Sequence, residues 1–193
     1  VNSQGGWYPL QSGETEHIIS IQFIDAQTGY YISYSNACFK TTNGGSQWNL
    51  VETFGTDISE MTFLNAVTGY ISSCGGNVYR TTNSGISWST YNTGSSSCLS
   101  SIFFLNSQTG WVTAETNNVI NAVYKTLNGG VNWFLLGYVP GIERCYSIQF
   151  TDNITGWVGG RKDSYDGIFF RTTNGGASWI ATLNSTVVVE DFT

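Results

Sequence analysis

Charge is scarce in this 193-residue chain: Asp, Glu, Lys and Arg make up 10 % of it, against roughly a quarter in ordinary soluble domains. Seven Lys and Arg face thirteen acids, a net charge of −6. A general nucleic-acid binder needs clustered cations that displace counterions from phosphates, so nucleic acid is excluded as a partner. There is one histidine, His17, near the start of a strand. A Ser-His or Cys-His engine would rest on that residue alone. No glycine-rich loop has the spacing of a phosphate cradle. No apolar run approaches the roughly 18–20 residues of a membrane span. The sequence starts at Val1 with no basic start and no apolar leader, so the expectation is an exported chain whose signal has been removed, extracellular or at the cell surface.

Packing material, by contrast, is plentiful. Hydrophobic residues make up 40 % of the chain and aromatic residues 15 %, enough for a sizeable core in a single all-β domain. Ser, Thr, Asn and Gly do the solvating, which suits an extracellular surface. Four cysteines, Cys38, Cys74, Cys98 and Cys145, are an even count and favour two disulfides, with three connectivities open. Buried free thiols are the alternative. Their spacing matches no zinc pattern, and no cofactor or metal is expected.

The dominant signal is internal repetition. The phrase aromatic, cation, Thr, any, Asn, any, Gly, any, any, Trp occurs four times, at 39–48, 79–88, 124–133 and 170–179. Its fixed members are Thr41, Asn43, Gly45 and Trp48; Thr81, Asn83, Gly85 and Trp88; Thr126, Asn128, Gly130 and Trp133; and Thr172, Asn174, Gly176 and Trp179. Ahead of each copy runs an alternating apolar stretch ending in Phe (Phe23, Phe63, Phe104, Phe150), followed by Thr-Gly-aromatic at 28–30, 68–70, 109–111 and 155–157. Period-two alternation argues for strands. Strand a carries the Phe, b begins at the Gly-aromatic pair, c ends in aromatic-cation-Thr, and d starts at the Trp. The Asn should close an Asx-type turn on amides one or two residues on. The Gly takes a positive φ, the Thr hydroxyl bonds across the hairpin, and the Trp caps the turn. A four-strand unit every 40–46 residues has the size of a propeller blade. The predicted fold is an all-β propeller of four four-stranded blades, 18–52, 58–92, 98–137 and 145–183, in one domain.

Thr-x-Asn-x-Gly-x-x-Trp resembles the Asp-box, or BNR repeat, of sialidases, sortilin-type receptors and photosystem II assembly factors of the YCF48 type. The preceding Thr-Gly-Trp strand makes the resemblance greatest to the YCF48-like repeat, and it covers nearly the whole chain. It implies a propeller fold, with the box a structural hairpin remote from any active site. Here Asn replaces the usual Asp in all four copies, which removes the charge a metal would need.

The sialidase resemblance also implies an arginine cluster, a tyrosine nucleophile and an acid. Of Arg80, Arg144, Arg161 and Arg171, two stand at the repeat's cation position with Lys40 and Lys125. These are expected to cover the Trp or pair locally, which leaves too few for a carboxylate clamp. A glycosidase needs two carboxylates about 5 to 9 Å apart in one cleft, and no acid here recurs in such a context. Asp163 and Asp166 fall in the 161–167 insertion, read as a solvated loop. No catalytic residue is assigned.

The termini carry surplus strands. Trp7 precedes Trp48 by a full repeat, so 1–13, with Trp7, Tyr8 and Leu10, reads as a lone strand d. Residues 186–193, with Val187, Val189 and Phe192, read as a lone strand a. Pro9 suits an outermost strand. The expectation is a structural protein that donates a terminal strand to a second copy, a heterologous head-to-tail contact that propagates into a filament or matrix. The four cysteines should lie on one face of the disc. Two alternatives stay open: a fragment of a longer array, and a fifth blade completed in trans. The competing function is a secreted module binding a protein or glycan through the 114–121 and 161–167 loops.

Overall fold

The computed structural model describes residues 9–115, 121–162 and 167–185. It is a four-blade β-propeller, each blade an antiparallel meander of four strands in chain order. Blade 1 comprises β1 (Ile18–Phe23), β2 (Gly29–Ser33), β3 (Ala37–Thr41) and β4 (Asn49–Thr53). Blade 2 comprises β5 (Ile58–Phe63), β6 (Gly69–Ser73), β7 (Asn77–Thr81) and β8 (Ser89–Asn92). Blade 3 holds β9 (Leu99–Phe104), β10 (Gly110–Ala114), β11 (Asn121–Thr126) and β12 (Phe134–Val139). Blade 4 holds β13 (Arg144–Phe150), β14 (Gly156–Arg161), β15 (Gly167–Thr172) and β16 (Ile180–Ser185). Strands a, b and c fall where the repeat predicts them. Strand d begins one residue after the Trp, because the Trp still belongs to the turn it caps. The surplus-strand residues Trp7, Tyr8, Val187, Val189 and Phe192, the Asp163–Asp166 pair and most of the 114–121 loop lie outside the described residues.

In strand a of blades 2 to 4 burial alternates with period two on either side of one register slip, but strand b shows no alternation. Every residue of β2, β6 and β10 is buried. These strands sit mid-blade: β6 and β10 lie between two blades, while β2 has blade 2 on one face and, on the other, Tyr31 packed on Phe39 and Trp48 and bonded to Ser12, so neither face requires polar side chains. Strand d is mostly exposed in every blade whose side chains are described throughout.

Among the described residues the core consists of three clusters, one per interface between consecutive blades. Tyr30, Ile32, Met61 and Phe63 anchor the first; Tyr70, Leu99, Ile102 and Phe104 the second; Trp111, Val139, Ile148 and Phe150 the third. A Cys74–Cys98 disulfide ties the b–c turn of blade 2 to the start of β9, across the second interface. The second disulfide is not formed. Cys38 and Cys145 are buried free thiols, Cys38 in the first cluster and Cys145 in the third. They enter different interface clusters, so they pack as small apolar groups.

The box turn is the same in all four blades. Gly44 and Gly45 both have positive φ, which places a type I′-like reversal one residue beyond the Asn. The Thr41 hydroxyl, fully buried, donates to Asn43 Oδ1 and accepts from the Asn43 and Gly45 amides. It works inside the turn and not across the hairpin. Asn43 Oδ1 accepts from the amide of Gln47, four residues on, because the two-residue reversal brings the return strand to it and not the nearer amides. The equivalents at Asn83, Asn128 and Asn174 reach Ser87, Asn132 and Ser178. Trp48 edges onto Phe23 at 5.8 Å, and Trp88, Trp133 and Trp179 repeat this on Phe63, Phe104 and Phe150. A second turn that the repeat did not disclose joins strands a and b. Asp25, Asn65, Asn106 and Asp152 each accept from the two amides at positions two and three beyond.

Candidate functional site

The three blade interfaces are built from one set of parts. The aromatic that opens strand b stacks face to face on the Phe that ends strand a of the next blade. Tyr30 lies on Phe63 at 3.8 Å, Tyr70 on Phe104 at 3.7 Å, and Trp111 on Phe150 at 3.7 Å, with interplanar angles of 11°, 13° and 7°. Its polar end donates into the next box turn: Tyr30 Oη to the Ser84 carbonyl, Tyr70 Oη to Gly129, Trp111 Nε1 to Gly175. The repeat's cation spans the same gap. Lys40 Nζ lies over Tyr30 and reaches the Ser84 carbonyl, and Lys125 Nζ lies over Trp111 and reaches that of Asn153. The cations therefore cover the strand-b aromatic and not the box Trp, because the register sets Lys40 beside Tyr30 and Lys125 beside Trp111. Burial lowers the pKa of Lys125.

The innermost strands are tied as well. Gln22 exchanges two hydrogen bonds with the Phe63 backbone, Glu60 accepts from the Ile102 amide, and Ser101 accepts from that of Ile148.

Between blade 4 and blade 1 these parts are present but unmatched. Trp157 opens β14, and Arg171 lies over it at 5.8 Å. Phe23 ends β1 with Trp48 against its edge. Yet Phe23 is 43 % exposed, whereas Phe63, Phe104 and Phe150 are at most 5 % exposed. Among the described residues no aromatic stacks on Phe23 from blade 4, no fourth cluster forms, and Gln149, at the place of Gln22, makes no bond to β1. Consecutive inner strands lie side by side, while β13 and β1 make no comparable contact. The seam leaves Ile18 and Ile21 exposed on β1. The four inner strands surround a hollow of about 630 Å³ that includes Tyr146, Phe103 and Gln149 in its wall.

The arginines form no clamp. Arg144 pairs with Glu115 at 3.3 Å and Arg161 with Glu143 at 3.1 Å, while Arg80 and Arg171 belong to the interfaces. His17 sits edge-on to Tyr34. Among the described residues no three His, Cys, Asp or Glu converge as metal ligands, and no helix is long and apolar enough to cross a membrane. Burial, with the Glu52 charge second, pushes the Cys38 thiol up to about 12, and burial pushes Cys145 up likewise. Neither is a nucleophile at neutral pH. Of the assigned interface residues Leu10 alone is described; its side chain rests against the box turn of blade 1 at Gly45. The strand-b aromatics Tyr30, Tyr70, Trp111 and Trp157 were not singled out as contact residues, although each closes a Thr-Gly-aromatic phrase.

Fold and joints together define a propeller module. YCF48 from Cyanidioschyzon merolae is similar over 90 % of this chain and 61 % of its own, with a TM-score of 0.61 and 17 % identity. A structure described as YCF48 bound to D1 peptide matches 89 % of this chain and 84 % of its own at TM-score 0.58 and 15 % identity. An ancestral GH74 enzyme matches 92 % of this chain at TM-score 0.71 and 19 % identity, but only 25 % of its own length. The neighbours thus include enzymes, and at these identities the likeness is one of fold. No protein-family model and no curated protein sequence matches the chain.

Proposed function

We propose that the chain is a non-enzymatic, exported structural protein, the subunit of a head-to-tail homopolymer in which blade 4 of one copy docks on blade 1 of the next. One observation carries this reading: the blade joint is complete three times, and its two complementary halves stand unmatched on blades 4 and 1, on either side of the seam. Trp157 with Arg171 is the donating half; Phe23 with the Gly44 and Ala26 carbonyls is the receiving half. The contact is heterologous, so it repeats without closing unless a ring forms. A disulfide fits an oxidising compartment, and the recurring turn fits an Asp-box hairpin with a structural duty.

Sedimentation and electron microscopy of the purified chain test this. The expected result is concentration-dependent oligomers that Trp157→Ala and Phe23→Ala each reduce to monomer. A monomer at every concentration would sink the proposal. The inner hollow favours a second reading, a module that takes a protein or glycan segment against Tyr146 and Phe103. That reading predicts a monomer whose ligand binding is lost on Tyr146→Ala.

A further inference from the structure

We propose that the segment around Leu10 serves as the outer strand of the neighbouring copy's blade 4 and takes the place of β16 there. This inference rests on the head-to-tail reading and continues the blade-to-blade interface already built three times within the chain.

The argument starts at the box-turn glycines. A Cβ placed on Gly85 would lie 3.6 Å from Val51 of β4, and one on Gly176 would lie 3.1 Å from Leu136 of β12. In both joints the previous blade's outer strand therefore sends one aliphatic side chain against the next blade's turn. Val51 and Leu136 are each the third residue after a box Trp. Each also sits where the c–d register slips, between the partners of Cys38 and Phe39 and between those of Val123 and Tyr124. Such a bulge re-aims a single side chain out of the ladder.

At Gly45 the same place is filled by Leu10, whose Cδ1 is 3.1 Å from the Cβ position. Leu10 is the third residue after Trp7 and belongs to none of the sixteen strands. The segment is held on blade 1 by Tyr31 Oη, which donates to the Ser12 carbonyl, and by Glu14, which accepts from Ser33 and Ser35. Pro9 lacks an amide hydrogen, which suits an outermost strand.

In β16 the corresponding residue is Thr182, also at a register slip. It is exposed, and its hydroxyl donates back to the Phe169 carbonyl. An incoming blade 4 that kept its own outer strand would set this polar residue where Leu10 already sits. Two strands cannot share that place, and the apolar one fits it. The exchange breaks the β15–β16 ladder and forms a ladder between β15 and the Leu10 segment of the next copy, with no covalent change.

Hydrogen–deuterium exchange on the full chain, below and above the assembly concentration, tests the exchange. Amides of 180–185 should lose protection on assembly while those of 167–172 keep theirs. Deleting residues 1–12 should raise the concentration needed for assembly at least tenfold, and Thr182→Leu in the shortened chain should restore it. Loss of protection at 9–14 instead, or tighter assembly after deletion, would overturn the proposal and make the segment a plug that β16 expels. Assembly with β16 still protected would also sink it while leaving the head-to-tail reading intact. A full chain that stays monomeric removes that reading itself.

Discussion

Phe23 and Phe150 hold the same position in their blades, at the end of strand a and under the box Trp, yet they live in different surroundings. Phe150 is clasped between Trp111 of the preceding blade and Trp179 of its own. Among the described residues Phe23 has Trp48 as its only ring partner and is 43 % exposed. A blade of this kind thus folds its turns by itself but completes its core only against a predecessor. That dependence is general for repeat architectures, where each unit buries its apolar face on a neighbour.

The largest expected effect breaks this symmetry directly. Phe150→Ala should cost about 3–5 kcal/mol, the usual range for emptying a buried aromatic site, whereas Phe23→Ala should cost the monomer about 1 kcal/mol, in keeping with a half-exposed site. The glycines that open strand b sharpen the contrast. A Cβ on Gly156 would meet the Phe150 ring at 2.5 Å, and Trp111 blocks its retreat. On Gly29 the distance is 2.9 Å, and the Phe23 ring, 43 % exposed, has no described aromatic stacked over it to block its retreat. Urea unfolding should therefore show Gly156→Ala to be severe and Gly29→Ala mild. Equal losses would mean that blade 1 is covered as fully as blade 4.

Next in size is the disulfide. Closing 24 residues stabilises by about 3 kcal/mol in the chain-entropy account. Cys74→Ser with Cys98→Ser should lower the thermal midpoint and loosen the interface between blades 2 and 3 before the others. Cys38 and Cys145 should stay silent to thiol reagents until the chain unfolds, since burial keeps them protonated. Labelling of either thiol in the native protein would contradict the packed first and third clusters.

Much of this was legible in the sequence, and for a physical reason. The box turn and the strand it follows are local, so their residues recur at fixed offsets wherever the turn recurs. Thr41, Asn43, Gly45 and Trp48 needed no partner from outside blade 1 to be recognised. The joint was harder to see. Tyr30 and Phe63 are 33 residues apart, and nothing in either phrase says that the partner of a strand-b aromatic is the Phe of the following repeat. The cysteines were misjudged on the same ground: even parity says nothing of which interface each thiol enters. The Asx turn between strands a and b was hidden because its first residue is Asp in two blades and Asn in the other two.

A smaller effect tests how local the box is. The Thr41 and Thr172 hydroxyls each hold three hydrogen bonds inside the turn. Thr41→Val or Thr172→Val leaves buried amides unpaired, at about 1–3 kcal/mol. The two losses should match, although one blade has a predecessor and the other does not. A larger loss at Thr172 would show that the turn leans on the joint.

The smallest effect concerns the tether of the Leu10 segment. Hydrogen bonds from Ser35, then from the Thr15 and Glu16 amides, hold the Glu14 pKa below its ordinary value of 4.5. A carboxylate depressed in the folded state contributes stability above its unfolded pKa, and that contribution fades as pH falls through the folded value. Glu14 is partly exposed and solvent screens its charge, so the effect is local. Lowering the pH through and below 4.5 should loosen residues 9–14 in hydrogen exchange while the four blades keep their protection. Glu14→Gln should loosen the same residues at neutral pH and remove the pH dependence. If the segment instead holds at low pH in both proteins, the carboxylate is not its anchor, and the Tyr31 bond to Ser12 with the Leu10 contact must hold it unaided.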